Sequence, residues 1–104
     1  MPFVTKDGST IREYLRTERQ SLAEASLEPG RSTRRHYHAA NEEIYLIIEG
    51  SGSLEVDGDT RDVGPGDAIL IAPGAWHELT AGPDATRLLC CCVPAYSDDD
   101  TYFV

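Results

Sequence analysis

Missing from this 104-residue chain is any apolar run near the roughly 18 consecutive residues that a helical membrane span requires, and its opening, MPFVTKDGST, lacks the charged and apolar regions of a signal peptide. A cytoplasmic protein with no membrane partner is the expectation. Positive charge is also scarce: 9 Lys plus Arg stand against 18 Asp plus Glu, a net charge of -9 that repels phosphate backbones and anionic surfaces and argues against a nucleic-acid partner. Cysteine is confined to the contiguous Cys90, Cys91 and Cys92. Neighbours on an extended strand point to opposite faces, so these three cannot build an ordinary disulfide framework, and reduced thiols fit a reducing compartment.

A sustained helical stripe is lacking as well. Turn residues interrupt the chain every eight to twelve positions or so, which predicts many short strands arranged as a sandwich or barrel. The expected strands are residues 11–15, 21–28, 33–38, 43–49, 53–57, 60–63, 68–72, 75–80 and 86–93. Pro29-Gly30, Gly64-Pro65-Gly66-Asp67, Pro73-Gly74 and Gly82-Pro83-Asp84 mark turns between them, and Asp57-Gly58 is the strongest hairpin signal. Good helix formers within residues 12–25 leave room for a helical turn, but the apolar spacing there favours strand. No repeat, linker or low-complexity segment divides the chain, and its length suits one compact domain. The polar, then aromatic tail after Pro94 is expected to pack back on the barrel or on a second subunit.

The chain has three histidines. His36 and His38 stand two apart in a strand-like run, so both rings project from one face and can share an ion, with Glu43 and His77 as the natural further ligands. Alone, a His-x-His pair is more often structural than metal-binding. The wider spacing is more specific. Gly30, five residues, His36-Tyr37-His38, four residues, Glu43, six residues, Gly50 make one frame; Gly66-Asp67, then Pro73-Gly74, two residues, His77 make a second.

These frames resemble the two motifs of the cupin superfamily, and the short segment between them, residues 51–65, suits its smallest microbial members. The resemblance spans residues 30–77. It implies an all-β, cupin-type double-stranded β-helix (a jelly-roll barrel) over residues 1–104, holding one divalent transition metal ion (Fe, Mn, Ni, Zn or Cu) through His36, His38, Glu43 and His77. Glu42 competes with Glu43, because only one of two adjacent strand residues points inward; the spacing to Gly50 favours Glu43. Ala72 and Ala81 depart from the family's common pattern, which bears on the subfamily rather than on the ligands. The glycines at 30, 50, 66 and 74 are expected at turns of positive φ or close backbone approach.

Alternation extends the inward face from His36 and His38 back to Arg34, a candidate anion clamp for substrate, and places Tyr45 beside Glu43 on the cavity side. Trp76 falls on the opposite face from His77 and belongs with outer packing. In the cysteine run either Cys91 or the pair Cys90 and Cys92 faces inward, where packing is the ordinary role. An ion held by three histidines and one glutamate, with positions left open, suits two chemistries: dioxygenase-type oxidation of a small polar molecule, which is favoured, or metal-dependent isomerisation, epimerisation, cyclisation or elimination. A non-catalytic metal- or ligand-binding protein is the third reading. A homodimer is expected from the small core and from family habit.

Overall fold

Eleven antiparallel strands and one short 3-10 turn build the computed structural model, which describes residues 3–5 and 7–103. In chain order the strands are β1 (Phe3–Val4), β2 (Thr10–Arg16), β3 (Ser21–Leu27), β4 (His36–His38), β5 (Glu42–Glu49), β6 (Gly52–Val56), β7 (Asp59–Val63), β8 (Ala68–Ile71), β9 (His77–Ala81), β10 (Thr86–Val93) and β11 (Thr101–Phe103). They form two sheets, one ordered β1-β2-β3-β10-β5-β8 and the other β11-β4-β9-β6-β7. This is the jelly-roll barrel that the family resemblance implies, within the choice of sandwich or barrel that the spacing of turns and strands predicts.

Period-two patterning decides what each sheet buries. On β5 Glu43, Tyr45 and Ile47 are buried while Glu42, Ile44 and Glu49 are exposed; on β10 Leu88, Cys90 and Cys92 turn inward. Inward residues of both sheets meet in one core around Ile47, Leu54, Ile71, Leu79 and Leu88, each at most 2% exposed. Burying side chains of this size contributes roughly 1.5–3 kcal/mol apiece. The cysteine alternative is thereby resolved: Cys90 and Cys92 are inside, Cys91 is on the outer face, and all three thiols are free.

Turn chemistry sets the registers. Asp57 and Gly58 both take positive φ, +48° and +93°, as a two-residue hairpin between paired Val56 and Asp59 requires. Gly50 has φ +76°, and a Cβ there would lie 2.2 Å from the Ala85 carbonyl oxygen, so that close strand crossing admits no side chain.

Strand pairing decides three further points, one of which corrects an expected strand boundary. Residues 12–16 are strand, with no helical turn, because β2 pairs along its length with β3. The run 33–38 is regular only from His36: Thr33 is buried and bonded to Leu79, while Arg34 donates its backbone N–H to the Asp7 carbonyl. The tail closes on the barrel, where β11 pairs with β4 so that Phe103 lies opposite His36 and Thr101 opposite His38. The Asp100 carboxylate supports that closure by accepting the backbone N–H groups of Ala39, Ala40 and Asn41.

The outer face of the larger sheet is unusually apolar. Its registers align Leu15, Leu22, Cys91, Ile44 and Leu70 in one row across five strands. The four aliphatic members of that row are 36–64% exposed.

Candidate metal centre

The site lies between the sheets at one end of the barrel. β4 supplies His36 and His38, whose alternate positions put both rings inward, and β9 supplies His77 directly opposite His36. β5, from the facing sheet, supplies Glu43. All four side chains are buried, between 0% and 4% exposed, whereas Glu42 is exposed. Strand parity thus selects Glu43 over its neighbour.

Each imidazole is oriented by a hydrogen bond at Nδ1. His36 donates to the Arg34 carbonyl at 2.6 Å and His77 to the Ala75 carbonyl at 2.9 Å. His38 donates to the Thr101 hydroxyl at 3.2 Å, because that hydroxyl gives its own proton to the Ser97 carbonyl. With Nδ1 carrying the hydrogen in all three rings, every Nε2 is left as an acceptor. One ligating nitrogen from each ring lies within 4.8 Å of the others, and the Glu43 Oε1 atom is 3.6 Å from His38 Nε2 and 3.7 Å from His77 Nε2. Donors bound to one ion at about 2.0–2.2 Å can be at most about 4.4 Å apart; the Glu43 contacts with His38 and His77 fall inside that range, while the group whose ligand atoms all lie within 4.8 Å of one another is His36, His38 and His77.

Glu43 Oε1 and His77 Nε2 are buried with no hydrogen-bond partner among the described residues. Buried acceptors facing one another without a donor are costly, and a bound cation removes that cost. The donor set therefore fits a divalent transition metal, three imidazole nitrogens and a carboxylate being its common partners.

Electrostatics follow from burial. Glu43 is pushed up to about 7, chiefly because its charged form is desolvated, with a hydrogen bond from Cys92 pulling the other way. His77 is held down to about 3, first by burial and then by the nearby His36 ring. His38 is lowered for the same two reasons. Desolvation also raises Tyr45 well above the usual phenol range, so its hydroxyl keeps its proton.

Tyr45 lines the cavity next to the histidines, its ring centroid 6.0 Å from that of His77. Arg34 is not brought there. Its guanidinium stacks over the Phe103 ring at 4.1 Å on the surface and is not among the cavity-lining residues, because the strand on which parity was counted starts two positions later. Trp76 sits outside as expected, edge-on to Tyr37.

Sequence reading missed Asp7. Its Oδ2 atom lies 3.6 Å from His36 Nε2 at the wall of the same cavity. Burial works against its charged form, yet hydrogen bonds from Ser9 and Thr5 outweigh that effect and hold the carboxyl below its ordinary value. The Asp7-Gly8 pair was the available signal, a turn dipeptide with a carboxylate. The remaining wall is mixed, with apolar Ala23, Ala25, Leu27 and Leu88 beside polar Ser21 and Tyr96.

An all-β barrel with three buried histidines and a carboxylate beside them defines a jelly roll whose inner side chains could hold a metal ion. The comparisons agree: a family model described as "Cupin domain" matches residues 23–92. The chain belongs to the cupin family. An uncharacterized protein of Methanocaldococcus jannaschii is 42% identical over 106 residues, covering 96% of this chain and 85% of that protein. L-ectoine synthase of Bordetella parapertussis is 33% identical over 85 residues, 79% of this chain and 63% of the synthase. A 5-aminosalicylate 1,2-dioxygenase of Comamonas sp. is 38% identical over 56 residues, 54% of this chain but 15% of the dioxygenase. Among solved structures, KdgF from Halomonas sp. superposes with a TM-score of 0.85 at 18% identity, covering 95% of this chain and 90% of that one.

Proposed function

We propose that the protein is a metal-dependent enzyme acting on a small polar molecule, with one divalent transition metal ion held by His36, His38, Glu43 and His77. The observation that carries this reading is the cluster of three buried imidazoles, each fixed by its own Nδ1 hydrogen bond, with the donorless Glu43 Oε1 beside the Nε2 atoms of His38 and His77. When bound, the ion would supply Lewis acidity and a point of attachment for an oxygen- or nitrogen-bearing substrate. The protein's own contribution is a protonated Tyr45 hydroxyl at the cavity wall, which can donate a hydrogen bond to a substrate oxygen. Alanine and leucine side chains among the lining residues give the cavity an apolar part beside its polar groups.

Redox-neutral chemistry, such as elimination, cyclisation or isomerisation, is the better supported class. The synthase relative aligns over more of this chain than the dioxygenase does, and a neutral phenol beside the ligands suits the handling of developing negative charge on oxygen. Dioxygenase chemistry is the second reading, supported by the aminosalicylate dioxygenase's similarity over about half of this chain. Anaerobic turnover by protein loaded with Mn(II) or Zn(II) would establish the first; dioxygen consumption that requires Fe(II) and substrate would establish the second.

The metal assignment has its own test. His36→Ala, His38→Ala and His77→Ala should each lose most bound metal by elemental analysis while retaining the β-type circular dichroism spectrum. Unchanged metal content in all three would refute it. We also infer a homodimer built on the apolar row of the larger sheet, since such a contiguous face is seldom left in water. Ile44→Asp should convert the light-scattering mass from two chains to one.

A further inference from the structure

Asp7 lies outside the segment matched by the family model, on the turn between β1 and β2. The turn is tightly specified. Thr5 N–H donates to the Ser9 carbonyl and Gly8 N–H to the Thr5 carbonyl, while Thr5 and Ser9 are both buried. Three donors converge on one oxygen of Asp7: the Ser9 N–H at 2.8 Å, the Ser9 hydroxyl at 2.7 Å and the Thr5 hydroxyl. All three engage Oδ1. This leaves Oδ2 as the atom that faces the cavity, 3.6 Å from His36 Nε2.

That spacing mirrors Glu43, whose Oε1 stands 3.6 Å and 3.7 Å from His38 and His77. Because His36 Nδ1 carries the hydrogen donated to Arg34, its Nε2 presents a lone pair to the Asp7 carboxylate, and two acceptors face each other. Among the described residues no Lys or Arg side chain lines the cavity to offset the charge of Asp7. The turn is also pinned to the histidine strand's approach, since Arg34 N–H donates to the Asp7 carbonyl at 2.7 Å, two residues before His36. The placement of Asp7 and of His36 is therefore coupled through the backbone.

We propose that Asp7 is a fifth protein ligand of the ion, its Oδ2 binding on the His36 side while Glu43 binds on the side of His38 and His77. This rests on the reading that the histidines hold a metal. Two carboxylates balance the charge of a divalent ion in a buried site, and an ion so balanced favours neutral substrates over anions.

The test uses Co(II) as the probe, titrated into the full-length apo protein and followed by visible absorption. Asp7→Ala should weaken Co(II) binding by about 100-fold and change the visible band shape. Asp7→Asn should weaken it further, because its amide can place an N–H against the His36 lone pair. Ser9→Ala keeps the carboxylate but loosens it, with an expected loss of several-fold; it serves as the second variant should the others fold poorly, which apo melting curves will reveal. Wild-type affinity and spectrum in both Asp7 variants would overturn the inference. Weaker binding with an unchanged spectrum would overturn it too, placing the carboxylate outside the coordination shell. A wild-type protein that takes up no Co(II) would instead overturn the metal reading itself.

Discussion

Metal affinity should rise with pH as the buried Glu43 carboxyl loses its proton. Burial holds the Glu43 carboxyl near 7, while His77 sits near 3 and His38 below its ordinary value. Above pH 5, His77 is thus already neutral and competes little for protons, whereas Glu43 must lose its proton before it can bind an ion. Lowering the pH through 7 protonates it. With a titration near 7, the competent carboxylate is almost fully present at pH 8.5 but only about 1% present at pH 5, so apparent affinity should fall by about 100-fold, or ~2.7 kcal/mol. The measurement is a Zn(II) competition against a chromophoric chelator at constant ionic strength, corrected for the chelator's own protonation. Glu43→Gln should bind more weakly at pH 8.5 and show a much flatter profile. A wild-type change below about threefold across that range, or a slope that survives in Glu43→Gln, would refute the reasoning.

Three further outcomes follow from the same geometry. Since Glu43 titrates higher in the folded chain than its usual 4.5, its contribution to apo stability is fully present below pH 4.5 and lost as pH rises through about 7. Glu43→Gln should therefore stabilise the apo protein by up to ~3 kcal/mol at pH 8.5 and by little at pH 4, as read from urea titrations. Gly50→Ala combines a positive φ with a methyl 2.2 Å from the Ala85 oxygen, and should cost more than about 3 kcal/mol or abolish soluble expression. Arg34→Ala should leave metal content untouched and lower stability by only about 0.5–1 kcal/mol, the worth of its stacking on Phe103; loss of metal would return Arg34 to the site.

Much of this protein is local in origin. Alternating burial along β5 and β10, the Asp57-Gly58 hairpin and the two motif frames are properties of short segments, because strand periodicity and turn conformations depend on neighbouring residues. That locality is why the spacing within residues 30–77 singles out His36, His38, Glu43 and His77, all of them buried in the fold, and why it favours Glu43 over the exposed Glu42. The misplacement of Arg34 has an equally local cause: parity holds only while the chain is extended, and here regular strand begins at His36.

The rest depended on residues distant in sequence. Asp7 reaches the histidines because the Thr5–Ser9 turn lies against residue 34, and Thr101 orients His38 because β11 pairs with β4 across more than sixty positions. No spacing rule relates such pairs, since their approach is set by how the two sheets close on each other. Local sequence thus set the alternation and turns of an all-β fold and the inward histidine and glutamate positions along its strands. Tertiary closure decided which further groups meet those donors, because contacts between chain ends exist only once the core between the sheets has formed.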